Sequence, residues 1–259
     1  MRKKTRQIFK GFKGCCTSSV CAKEDDVYFR AILATDTNGD GIELSTTRDL
    51  EHIKKSIYSI AHQLQIKPVI EVLKGADCCV HNIKKSLRSV GRYSADIVFF
   101  YYSGHGNSDP KSRRWPVMYP AGSMYGRGLL GTSVVKFFKK KFSQADHSVD
   151  GLLQQIYKWW SLRDSHEGRI CDWPKRASPW LTYLFLESRG LIVGCGAGRG
   201  ESSIGLPDGG VFTNGLLSGL KAKCANDAVT WNEIFSYVAS YCPQHVQSHQ
   251  QHPIMQYVP

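Results

Sequence analysis

Ala95-Asp-Ile-Val-Phe-Phe-Tyr-Tyr-Ser-Gly-His-Gly106 sets an unbroken apolar and aromatic run, Ile97 to Tyr102, against a polar end at Ser103-Gly-His-Gly106. A short continuous apolar run bounded by turn residues reads as a strand buried on both faces, in the middle of a parallel sheet. In an open α/β sheet, chemistry gathers just beyond the carboxyl ends of the strands. His105 stands at such an end. The glycines on either side let the backbone turn sharply and leave the imidazole uncrowded.

The surrounding chain alternates strand and helix patterns. Val27 to Ala34 reads as a central strand, followed by the turn Asp36-Thr-Asn-Gly-Asp-Gly41. A helix opens at Ser45 and carries Leu50, Ile53, Ile57, Ile60 and Leu64 at spacings of three and four, so one face is apolar. Lys67 to Leu73 reads as a second strand, restricted by Pro68 to a strand start or a sheet edge. A helix over 78–90 places Cys79, Ile83, Leu87 and Val90 on one face. Beyond the histidine strand, Trp115 to Pro120 suits a short strand or hairpin, and helical patterns run near 130–142 and 149–161. Trp180 to Leu186, Val211 to Leu220 and Trp231 to Tyr241 read as helices, with Leu191 to Val193 a buried strand and Pro253 to Val258 a short last one. This alternation predicts an α/β fold with a mostly parallel central sheet of about six strands and helices on both faces. Residues 1–24 read as a basic, flexible tail before one domain over 25–259.

Phe100 to Gly106, preceded by Asp96, resembles the histidine motif of the caspase and metacaspase superfamily of cysteine peptidases. A second likeness lies in Gly190 to Ser203 followed by Gly209-Gly-Val-Phe-Thr-Asn-Gly-Leu-Leu217, which is similar to the late strand, specificity segment and helix start of caspase-like domains. The resemblance covers about residues 27–258. It implies a cysteine-type endopeptidase acting through a His–Cys dyad on a protein or peptide substrate, with no cofactor. In that chemistry a thiolate attacks the scissile carbonyl while the histidine passes a proton to the leaving amine.

The chain departs from the family pattern at the nucleophile. The family carries Asp-x-Cys at the end of the strand beside the histidine strand, and no strong strand between residues 121 and 189 ends that way. Ala145-Asp-His-Ser148 has the aspartate but no cysteine. Cys171 is the only cysteine between the two motifs, though no buried strand leads into it. Cys195 follows a strand and lies between glycines, but by resemblance it falls in the segment that lines the substrate pocket, with Arg199 and Ser202. Three readings stand: Cys171 as the nucleophile beside His105, Cys195 in that role, or a pseudo-protease that keeps the fold and acts as an interaction or scaffold protein. The family often has acidic residues in the specificity segment; here Ala197, Gly198 and Arg199 stand instead, so the preferred substrate side chain is open.

Composition narrows the alternatives. The net charge is +12, which favours anionic partners where the charge is concentrated, yet the basic residues are spread along the chain, so nucleic acid is not the expected partner. The basic N-terminus beside Cys15 and Cys16 offers contact with a membrane as a lipidated segment. It lacks the apolar core of about 7–15 residues that a secretory signal needs. Nine cysteines, an odd number with Cys15, Cys16 and Cys21 clustered, Cys78 and Cys79 adjacent and the other four dispersed, form no disulfide framework, which points to a reducing, cytoplasmic setting. Asp36, Asn38, Asp40 and Gly41 imitate the start of a calcium loop, but Thr47 stands where the bidentate glutamate belongs. His245, His249 and His252 have metal-like spacing in a Gln- and Ser-rich tail; no metal is expected. Gly194-Cys-Gly-Ala-Gly-Arg-Gly200 after a strand suggests phosphate binding, but its spacing matches neither a dinucleotide fingerprint nor a P-loop.

Overall fold

Twelve strands and six helices appear among the described residues of the computed structural model, which are 27–90, 97–107, 115–121, 128–142, 153–154, 156–157, 179–188, 190–222, 229–246 and 251–258. In chain order they are β1 (Tyr28–Thr35), α1 (Glu43–Gln63), β2 (Lys67–Lys74), α2 (Val80–Val90), β3 (Ile97–Ser103), β4 (Gly106–Asn107), β5 (Val117–Met118), β6 (Leu129–Leu130), α3 (Gly131–Phe142), β7 (Leu153–Gln154) and β8 (Ile156–Tyr157). There follow α4 (Pro179–Thr182), β9 (Leu191–Cys195), β10 (Gly205–Leu206), β11 (Gly209–Gly210), α5 (Val211–Ala222), α6 (Trp231–Gln244) and β12 (Ile254–Val258).

The main sheet runs β12-β9-β7-β3-β1-β2, with β8 also paired to β3. The expected six-stranded parallel sheet is not what forms. Among the described residues only three strands, β2, β1 and β3, pair in parallel over seven or eight residues each. Between β3 and β9 the sheet is carried by the two-residue pieces β7 and β8. The far edge is antiparallel, because β12 returns against β9 with Ile254 opposite Cys195. Short antiparallel sheets, β4-β5-β6 and β10-β11, lie outside the main one. The physical reason lies in the connections: the return from β4 to β5 is too short for the crossover that a parallel partner needs, so β5 pairs antiparallel in a sheet of its own. The helix expected near 149–161 is likewise overturned, since Leu153–Gln154 and Ile156–Tyr157 pair with β3 and β9. Leu153, Ile156 and Tyr157 are spaced like a helical stripe, which is why periodicity misleads at this point.

β3 is the hub. All seven of its residues are buried, and its side chains alternate between two cores, as successive residues of a strand must. Ile97, Phe99 and Tyr101 join one core with residues of α1, α4, α5 and α6. Val98, Phe100 and Tyr102 join the other with residues of α2 and α3. Each large apolar side chain buried this way contributes about 1.5–3 kcal/mol. Pro68 sits at the start of β2, and β2 is an edge strand, which leaves the missing N–H harmless. After α4 the chain widens into a π-helical turn over Tyr183–Glu187. Trp231 at the start of α6 donates its indole N–H to the Leu184 carbonyl at 3.1 Å, tying that turn to the core. Among the described residues no helix is long and apolar enough to cross a membrane.

Candidate active site at the ends of β1 and β3

The carboxyl ends of β1 and β3 lie side by side, Thr35 opposite Ser103. The Asp36 backbone N–H donates to the Ser103 carbonyl at 2.8 Å, so the two chains leave the sheet together. His105 follows two residues later and is partly exposed. Its carbonyl is held from two sides, by the Tyr102 hydroxyl and by the Tyr119 N–H, each at 2.9 Å. Burial keeps the Tyr102 phenol well above its ordinary range, with the neighbouring Cys78 and Asp36 adding to the rise, so it stays a neutral donor. Gly104 has to be glycine. A Cβ there would fall 2.5 Å from the Tyr102 hydroxyl oxygen and 2.9 Å from the Asp36 Cβ. The Gly-His-Gly turn thus places His105 at the carboxyl end of a central strand while its backbone is locked.

Two buried carboxylates flank this end. Asp36 is almost fully buried, and its Oδ1 has no hydrogen bond among the described residues. Burial pushes its pKa up; the Asn38 N–H and the nearby His105 pull it back without cancelling the rise. Asp49, on α1, is fully buried. Its Oδ2 accepts from the Ser103 hydroxyl at 2.8 Å and its Oδ1 from the Gly210 N–H at 2.7 Å. Gly209 makes the second bond possible: its φ of 117° is open to glycine, and a Cβ there would sit 3.0 Å from Asp49 Oδ1. Beside it Tyr101 shares a hydrogen bond of 2.9 Å with Thr213 on α5. Asp49 therefore fastens the end of the histidine strand to the start of α5. The signal for it in the sequence is a carboxylate standing four residues before Ile53, on the apolar stripe of α1.

The other predicted site residues are placed as follows. Cys195 ends β9, with β7 between it and β3, so β9 runs about 10 Å from the histidine strand at ~4.8 Å per strand. Its thiol is buried in the core shared with Tyr102 and Val193, and donates to the Ala197 carbonyl at 3.3 Å. Burial pushes that thiol up to about 12, the backbone hydrogen bonds only softening the effect. A thiol held protonated in the core is not an activated nucleophile. Arg199 and Ser202 are exposed on the loop after β9. Cys171 lies outside the described residues, as do Ala145 to Ser148. The strand beside β3 ends at Tyr157, and no cysteine follows until Cys171.

Among the described residues no group of three or more His, Cys, Asp or Glu is placed to hold a metal ion. Thr47, at the twelfth position of the calcium-like segment, is inside α1. His245 stacks on Tyr241 at 3.7 Å between ring centres, His252 bonds Glu201, and His249 lies outside the described residues. No family model matches the chain, and no curated protein matches it.

Proposed function

We propose that the chain is a caspase-like cysteine endopeptidase whose site is the end of β3, with His105 as the proton carrier and Cys171 as the thiol. The observation that supports this most is the locked turn at His105. The imidazole projects at the carboxyl end of a fully buried strand, its carbonyl tied to Tyr102 and Tyr119, beside the buried carboxylate of Asp36. In the proposed reaction the Cys171 thiolate attacks the carbonyl carbon of the scissile peptide bond. His105 gives its proton to the departing amine, and then takes a proton from the water that hydrolyses the acyl-enzyme. The described cysteines Cys78, Cys79 and Cys195 carry free thiols, which supports a reducing, cytoplasmic setting. Burial of Cys195 argues against it as the nucleophile and leaves it a structural residue of the core.

A second reading is favoured by one observation: the strand next to the histidine strand ends at Tyr157 with no cysteine after it until Cys171. On that reading the chain is a pseudo-protease that binds polypeptide without cutting it. Hydrolysis of a diverse fluorogenic peptide library separates the two. The endopeptidase reading expects turnover that His105→Ala and Cys171→Ala each reduce by at least about 100-fold, and that Cys195→Ala leaves nearly intact. An absence of turnover at high protein concentration, or turnover indifferent to His105→Ala, overturns it.

A further inference from the structure

The loop that follows β9 is held from outside by the segment leading into β12. Gln251 is fully buried, and both ends of its amide are used. Its Oε1 accepts from the Ile204 N–H at 2.9 Å. Its Nε2 donates to the Gly196 carbonyl at 2.8 Å and to the Ser203 hydroxyl at 3.4 Å. One side chain therefore ties together the first residue of the loop and its last two. The next residue adds an outer fastening: Glu201 Oε2 accepts from the His252 N–H at 2.7 Å and from the Gly198 N–H at 3.1 Å, and Glu201 Oε1 lies 2.7 Å from the His252 ring. Arg199 and Ser202, the exposed residues of this loop that carry side chains, sit between the points where it is fastened.

The loop's far end is also joined to the scaffold of the histidine strand. The Val211 N–H donates to the Ile204 carbonyl at 3.2 Å, and the preceding Gly210 N–H is the one that bonds Asp49. We infer that Gln251 is a positioning residue for substrate recognition: it templates the 196–204 loop so that Arg199 and Ser202 are presented to the polypeptide bound at the end of β3. A buried amide that satisfies a backbone donor and a backbone acceptor at opposite ends of a loop leaves that loop one closed form. Without it the Ile204 N–H and Gly196 carbonyl are orphaned in the interior, and opening to water becomes the cheaper state. The recognition half of this inference rests on the endopeptidase reading; the templating half does not.

The test combines hydrogen exchange with kinetics on the full chain. In Gln251→Ala, amides in 196–204 are expected to exchange about 10- to 100-fold faster, while amides of β1 and β3 keep their protection. Gln251→Glu keeps the acceptor for the Ile204 N–H but loses the donor to Gly196, so protection returns at 204 and not at the start of the loop. KM for a cleaved peptide should rise about tenfold with kcat changed less than about twofold, the pattern of lost binding. Glu201→Ala, altering a partly exposed residue, gives the same KM-weighted pattern more weakly and covers the case in which Gln251→Ala fails to fold. Unchanged exchange across 196–204 in both Gln251→Glu and Glu201→Ala overturns the templating role. Faster exchange with an unchanged KM overturns the recognition role. A wild-type chain that cleaves nothing overturns the endopeptidase reading and the recognition role with it, while the exchange measurement still decides the templating role.

Discussion

Replacing Asp49 by alanine is expected to cost about 2–4 kcal/mol of stability, and the reasoning behind that figure is open to direct test. The carboxyl group is fully buried and accepts hydrogen bonds from the Ser103 hydroxyl at 2.8 Å and the Gly210 N–H at 2.7 Å. Truncation leaves both donors buried without this acceptor, at about 1–3 kcal/mol each. Against that stands the relief of no longer burying a polar group, which takes back part of the loss. Asp49→Asn keeps the shape and one carbonyl acceptor, and Ser103 can rotate its hydroxyl to accept from the new amide, so its cost should be only about 1 kcal/mol. Urea unfolding followed by tryptophan fluorescence reads the difference. At a slope of roughly 2–3 kcal/mol per molar, the alanine variant's midpoint should fall by about 1 M, with the asparagine variant between it and the native chain. Equal stability of alanine and native chains, or an asparagine variant weaker than alanine, refutes the idea that Asp49 holds the end of β3 to α5 by accepting those bonds.

Other consequences are equally concrete. Gly104→Ala should destabilise the chain by about 1–3 kcal/mol and unlock the His105 turn, since the new methyl would meet the Tyr102 hydroxyl at 2.5 Å; calorimetry of a variant as stable as the native chain would contradict this. Cys195 should resist iodoacetamide at pH 8 in the folded protein and react once unfolded, as peptide mass mapping will show. Its raised pKa also sets a sign: the stability it contributes is complete below the ordinary thiol range and fades as pH rises toward about 12. Glu201 runs the other way. Burial alone would raise its pKa, but hydrogen bonds from the His252 backbone and ring and from the Gly198 N–H lower it overall. Its contribution is therefore present above the ordinary carboxylate range and lost as pH falls through the lowered value, and Glu201→Gln should flatten the acid limb of a stability–pH profile.

The residues differ in how plainly their sequence speaks. Ile97 to Tyr102 announced a two-sided buried strand because every position is apolar, and both cores indeed meet on it. α1, α2 and α6 were legible from their apolar faces and α5 from its start behind Gly209-Gly210, and the Thr230–Glu233 capping box marks the start of α6. β7 and β8 were not, since two-residue strands have no periodicity of their own and depend on β3 and β9 to form. The count of strand-like segments overstated the parallel sheet for another reason: Trp115 to Pro120 holds β5 of a separate antiparallel sheet, and β12 pairs antiparallel with β9. At the site, His105 could be found from its strand and flanking glycines. Asp49 and Gln251 could not be ranked, because their importance lies in partners far along the chain: Ser103 and Gly210 for one, Gly196 and Ile204 for the other. Cys195 misled in the opposite direction. A cysteine between glycines after a strand looks poised, but the pleat of β9 turns its thiol into the core.

The most direct test of the central claim is covalent. A peptidyl acyloxymethyl ketone with a thiol-reactive carbon in place of the scissile bond should label the folded chain at Cys171, as located by peptide mass mapping, and His105→Ala should slow that labelling by at least about 100-fold. Label found on Cys195, or labelling of Cys171 at the same rate with and without His105, would contradict a dyad built on the end of β3.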